Sequence, residues 1–163
     1  NPEKQYLATY GTQLKALSST AIDFEDLETM INRNVRCNNS ILLFNVGHEI
    51  QVSLSRGQNM INKYLLNLFS EQEGRAVLVA GSTDHVALQH VGGAMSSGMF
   101  AHWLGQALAG EADLNKDRVV TAAEMFGFVT EKVREESKGQ QIPRYRLASR
   151  VAEHPILGEV EDE

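Results

Sequence analysis

Cysteine is nearly missing from this 163-residue chain: Cys37 is the only one. No intrachain disulfide can form, and nothing in the thiol content implies an oxidising compartment. A basic excess is missing too. The formal charge is -6, which argues against nucleic-acid binding as the main task, since a basic stripe is the usual footprint of that work. No apolar run approaches the ~20 residues of a membrane span. Asn1-Pro2-Glu3-Lys4 does not read as a secretory leader, so the expected location is cytoplasmic and no membrane partner is expected. Internal repeats, low-complexity runs and flexible linkers are absent as well.

What is present is a core-forming composition, 42% hydrophobic, in a chain long enough for one domain or most of one. A chain of about this length hides roughly 70% of its unfolded surface on folding. Strand and helix patterns alternate, which predicts an α/β layered fold. Residues 6–10 read as a short edge strand before Gly11, and Asp23 as the N-cap of a helix with Leu27, Met30 and Ile31 on one face. Ile41–Asn45 and Ala76–Ala80 read as buried strands. Between them a helix is predicted over 57–71, with Met60, Ile61, Tyr64, Leu65, Leu68 and Phe69 at helical spacing and Gly74 after its end. Residues 81–97, rich in Gly, Ser and His, read as a long loop beyond a strand end; such loops are often functional.

A further helix is predicted over 98–109, with Phe100, Trp103, Leu104, Ala107 and Leu108 facing inward. Thr121 and Glu124 have the spacing of a capping box for a helix reaching 136. Pro143 precedes a last strand, Arg144–Ser149. Residues 159–163, with Glu159, Glu161, Asp162 and Glu163, form an acidic tail that reads as a solvated end.

Four stretches, taken in their order along the chain, carry a resemblance to a known family. They are Ile41-Leu42-Leu43-Phe44-Asn45-Val46-Gly47-His48; Gly98-Met99-Phe100-Ala101-His102-Trp103-Leu104; Ala112-Asp113-Leu114-Asn115-Lys116-Asp117 with Val119-Val120-Thr121; and Gln141-Ile142-Pro143. Together they resemble the caspase-like domain of bacterial peptidases in the caspase/metacaspase family, from Tyr6 to about Leu157. The resemblance implies a three-layer sandwich around a mostly parallel sheet, with residues 1–158 forming the C-terminal part of the domain. It also implies that the family's first three strands, and the His-Gly motif that carries the catalytic base, are missing from this chain.

The family's nucleophile strand ends in Asp-Ala-Cys-His-Ser-Gly. On that alignment Asn45 stands for the Asp, Gly47 for the nucleophilic Cys, His48 for the following His and Glu49 for the Ser. Glycine has no side chain with which to attack a carbonyl. In a comparable triad, loss of the nucleophile lowers turnover about 10⁶-fold. Asn45 keeps the shape of the Asp, which lines a pocket for basic side chains in related metacaspases, and loses its charge. The resemblance therefore implies a peptidase fold without an intact catalytic dyad. The expected role is that of a regulatory or protein-binding subunit, with Asn45, Ser82, Thr83 and Asp84 on the groove and another segment or chain completing the sheet. Caspases pair through their last strand, which corresponds here to Arg144–Ser149.

Two other readings stay open. An active cysteine endopeptidase requires dyad residues supplied from elsewhere; Cys37 precedes the strand at the end opposite the expected site, and His48, His85 and His90 have no strand–His-Gly context. A calcium-responsive module is suggested by Asp113, Asn115, Asp117, Thr121 and Glu124 at positions 1, 3, 5, 9 and 12 of an EF-hand-like loop, with the Val119 carbonyl at position 7. Arg118 occupies position 6, where such loops use glycine for a sharp turn. The bland reading of the same loop is an Asp/Asn-rich turn whose side chains cap backbone groups. Trp103, Met60, Met99 and Met125 read as core filling.

Overall fold

The computed structural model describes residues 4–45, 58–70, 73–81 and 98–158, with side chains described from residue 64 onward in the second of these stretches. The chain divides into two compact units, 1–38 and 39–163.

In the first unit, β1 (Tyr6–Leu7) pairs antiparallel with β2 (Ile22–Asp23) around a 3₁₀ turn at Leu14–Ala16 and a short helix α1 (Leu17–Thr20). The predicted strand over 6–10 is thus only two residues long. Helix α2 (Phe24–Asn34) starts where Asp23 Oδ1 accepts the Glu25 backbone N–H at 2.9 Å, the expected N-cap. Lys4 Nζ donates to the other Asp23 oxygen. That hydrogen bond, helped by the Glu25 amide, holds the Asp23 carboxyl below its ordinary range against the opposing effect of burial. Phe24 is buried, while Met30, expected on the inner face, is 58% exposed.

The second unit holds the main sheet, in the order β3 (Ser40–Phe44), β4 (Arg75–Val79), β6 (Arg144–Leu147). Strands β3 and β4 run parallel, with Leu42 beside Val77 and Phe44 beside Val79. Strand β6 runs antiparallel to β4, with Val77 beside Arg146. Side chains alternate between faces. One face meets α3 (Gln58–Ser70): the Phe44 and Phe69 rings lie 5.0 Å apart and Arg146 Nη2 donates to Asn67 Oδ1. The other face meets α4 (Met99–Gln106) and α5 (Ala122–Glu136), where Ala76, Leu78 and Ala80 join Met99, Phe100, Met125, Phe126 and Val129 in one buried cluster. The main sheet is therefore the middle of three layers, a mixed α/β arrangement.

A second, two-stranded sheet pairs β5 (Val119–Thr121) with β7 (Pro155–Gly158). Between β6 and β7 lies the short helix α6 (Ser149–Ala152). The predicted last strand, Arg144–Ser149, accordingly stops at Leu147, and β7 follows as a strand the sequence pattern did not reveal. Among the described residues, no helix is long and apolar enough to cross a membrane.

Two further expectations about burial change. Strand β3 is half-buried rather than buried, with Leu43 39% exposed. Helix α4 continues into a wider π-type turn over Ala107–Glu111, where Gly110 takes φ 108. That turn rotates Leu108 outward to 43% exposure, whereas Phe100 and Ala107 stay buried as expected.

Candidate functional site

In an open α/β sheet, ligands gather beyond the C-terminal ends of parallel strands. Here those ends are locked side by side: the Ala80 backbone N–H donates to the Phe44 carbonyl at 2.8 Å. Asn45 follows directly and is exposed. Gly81 follows Ala80 and is partly buried. The two segments predicted to form the groove thus leave the sheet from adjacent points. Gly47 and His48 lie outside the described residues, as do Ser82, Thr83 and Asp84 and the histidines His85 and His90.

One residue with no assigned role in the sequence reading fixes this corner. Gln141 is 0% exposed, and its Nε2 donates to the Ala80 carbonyl at 2.7 Å. Its own backbone is clamped by buried Ser137: the Gln141 N–H donates to Ser137 Oγ at 3.0 Å, and Ser137 Oγ donates to the Gln141 carbonyl at 2.9 Å. A buried amide satisfied this way anchors the carbonyl just past β4 across 61 residues of sequence. The available signal was a long polar side chain just ahead of Ile142 and Pro143, but no local pattern reveals so distant a partner.

The remaining candidates are elsewhere. Cys37 is exposed, three residues ahead of β3 in sequence. His102 lies on α4, edge-on to Trp103, and His154 is exposed ahead of β7. Trp103 is half-buried; its Nε1 donates to Glu136 Oε2 and Lys132 Nζ sits 5.6 Å from its ring centre. Met99 and Met125 fill the core as expected, and the Met60 side chain lies outside the described residues.

The 113–124 loop joins the turn ending at Glu111 to α5. Asp113 accepts the backbone N–H groups of Asp117 and Arg118 at 3.2 and 2.9 Å. Asn115 Oδ1 accepts from Asp117 N at 2.8 Å, and Asp117 Oδ1 from Val119 N at 2.9 Å. Thr121 and Glu124 form the predicted capping box, with Glu124 Oε2 accepting both the Thr121 N–H and its hydroxyl. Every oxygen-bearing side chain proposed as a cation ligand is therefore engaged with this loop or the start of α5. Among the described residues, no group of three or more His, Cys, Asp or Glu converges to hold a metal ion. Arg118 nevertheless takes φ 69 and Lys116 φ 61, so the turn expected to need glycine is made by residues with side chains. The strand β5 inside this loop pairs with β7, not with a second loop of its kind.

The chain matches no protein-family model, no curated protein and no solved structure.

Proposed function

We propose that this chain is part of a caspase-like domain that binds protein and does not cleave it. The observation that carries the reading is the strand arrangement. Apolar β3 lies parallel to β4, β6 closes the far side in the opposite direction, and the ends of β3 and β4 are hydrogen-bonded at the corner where Asn45 and Gly81 leave the sheet. Helices on both faces of the sheet support the three-layer architecture of that family. The half-exposed β3, which carries Ile41, Leu42, Leu43 and Phe44 and no charge, supports completion of the sheet by a further segment or chain. Gly47 at the nucleophile position in the sequence supports a binding role over a catalytic one.

Hydrolysis of a mixed peptide library by the folded chain, with and without a thiol-alkylating reagent, tests this. No turnover is expected. Turnover abolished by alkylation would instead establish an active cysteine endopeptidase, with Cys37, the one thiol of this chain, as its nucleophile.

A second reading, a calcium-responsive loop at 113–124, is favoured by the positive φ of Arg118 at the position where EF-hand loops turn. It requires Glu124 to leave its capping box. Calcium at 100 times its dissociation constant would add about 2.7 kcal/mol to stability. A calcium-dependent rise in Tm that disappears in Glu124→Gln would support this reading, and an unchanged Tm would remove it.

A further inference from the structure

We infer that the outer edge of β6 is a docking site for an acidic, extended peptide segment of a protein partner. The inference does not rest on the peptidase resemblance. Strand β6 is bonded to β4 on one side only, and among the described residues nothing pairs with its other side. An edge strand offers a row of backbone N–H and C=O groups that a second strand can satisfy. Arg144, Tyr145 and Arg146 are all exposed on it.

The charge of this edge runs against that of the molecule. From 137 to 152 the sequence carries Lys138, Arg144, Arg146 and Arg150 and no carboxylate, in a chain of net charge -6. Among the described residues Arg144 and Arg150 form no ion pair, and Arg146 bonds only the neutral Asn67. Arg144 and Arg146 share the α3 face of the sheet. Tyr145 points to the other face, where its ring meets Phe126 at 5.5 Å. A docked strand would therefore place two acidic side chains, two residues apart, beside the arginines and an apolar side chain beside Tyr145.

Other occupants fit less well. A second copy pairing β6 to β6 would bring arginines against arginines, and like charges across a strand pair are destabilising. Nucleic acid would answer the arginines but leave the backbone row unsatisfied. Arginines that only shield the edge from aggregation predict no saturable ligand.

The test is anisotropy titration of the full chain with a blocked, labelled heptapeptide alternating Glu and Val. A Lys/Val peptide and a backbone N-methylated Glu/Val peptide serve as controls. Saturable binding of the Glu/Val peptide alone is expected. Arg144→Glu with Arg146→Glu should weaken it about tenfold or more and shift preference to the Lys/Val peptide. The neutral pair Arg144→Gln with Arg146→Gln should weaken it without that reversal. Both variants alter exposed side chains, and an unchanged Tm checks that they fold. The proposal is overturned if the Glu/Val peptide does not saturate, or if the N-methylated peptide binds equally. It is also overturned if a single-stranded oligonucleotide competes equally, or if sedimentation finds a dimer that the charge reversal dissolves.

Discussion

Strands β3 and β4 are neighbours in one sheet, run in the same direction, and are each five residues long. Ser-Ile-Leu-Leu-Phe is if anything the more apolar, yet all five residues of β4 are buried while β3 is half-open, with Leu43 39% exposed. Strand β4 has a strand on each side and a helix layer on each face. Among the described residues, strand β3 has a strand on one side only. Burial here follows the position in the sheet, not the composition of the strand. Even Arg75, at the start of β4, is drawn in to 6% exposure, its guanidinium reaching the Phe69 carbonyl.

This contrast can be broken most directly by deletion at matched positions. Leu78 and Leu43 are partners in the register. Leu78→Ala removes a fully buried side chain and should cost about 2–5 kcal/mol in urea unfolding. Leu43→Ala should cost less than about 1.5 kcal/mol. Equal losses would mean that β3 is as buried as its neighbour in solution. Gln141→Ala comes next, because it leaves the Ala80 carbonyl without its donor; a loss of about 1–3 kcal/mol is expected. Amide exchange should then quicken at Ala80, whose N–H closes the corner with Phe44.

Thr121→Ala tests a local device instead of a tertiary one. Loss of the capping box should cost about 1 kcal/mol by thermal unfolding, with fraying confined to the first turn of α5. The smallest effect is expected at Asp23. Its carboxyl is held below the ordinary 3.8 chiefly by the Lys4 hydrogen bond. The folded state therefore binds its proton less readily than the unfolded state does. The stabilisation is present above about pH 4 and is lost as pH falls through the depressed folded value. Amide exchange in α2, followed from pH 5 down to pH 2, should show protection falling in that window. Lys4→Met should start the fall at higher pH.

Local signals were read well from sequence. Asp23 and the Thr121–Glu124 pair mark helix starts because each acts on backbone groups within three residues of itself. The helices over 58–70 and 122–136 follow from side chains spaced to meet one face. The errors share a different cause. Strand β7 escaped notice because Pro155-Ile156-Leu157-Gly158 has too little pattern to announce a strand; its partner Val119–Thr121 supplies the hydrogen bonds that make it one. Leu108 was expected inside because a regular helix would carry it there, and the wide turn ending near Gly110 shifts the phase. In the 113–124 loop the spacing of oxygen-bearing residues was plain, but not that each would be engaged with the loop's own amides or the start of α5.

The sequence by itself determined the alternation of strands and helices, the helix caps and the positions of its charges, since these depend on residues near one another in the chain. Only the tertiary structure decided which apolar strand became the centre of the sheet of described residues and which its edge, that Gln141 would anchor the chain just past β4, and that the arginines of β6 would lie on a strand with no second partner among the described residues. Each of those outcomes depends on partners dozens of residues away, whose approach is fixed by packing and hydrogen-bond satisfaction across the whole unit and not by any local preference.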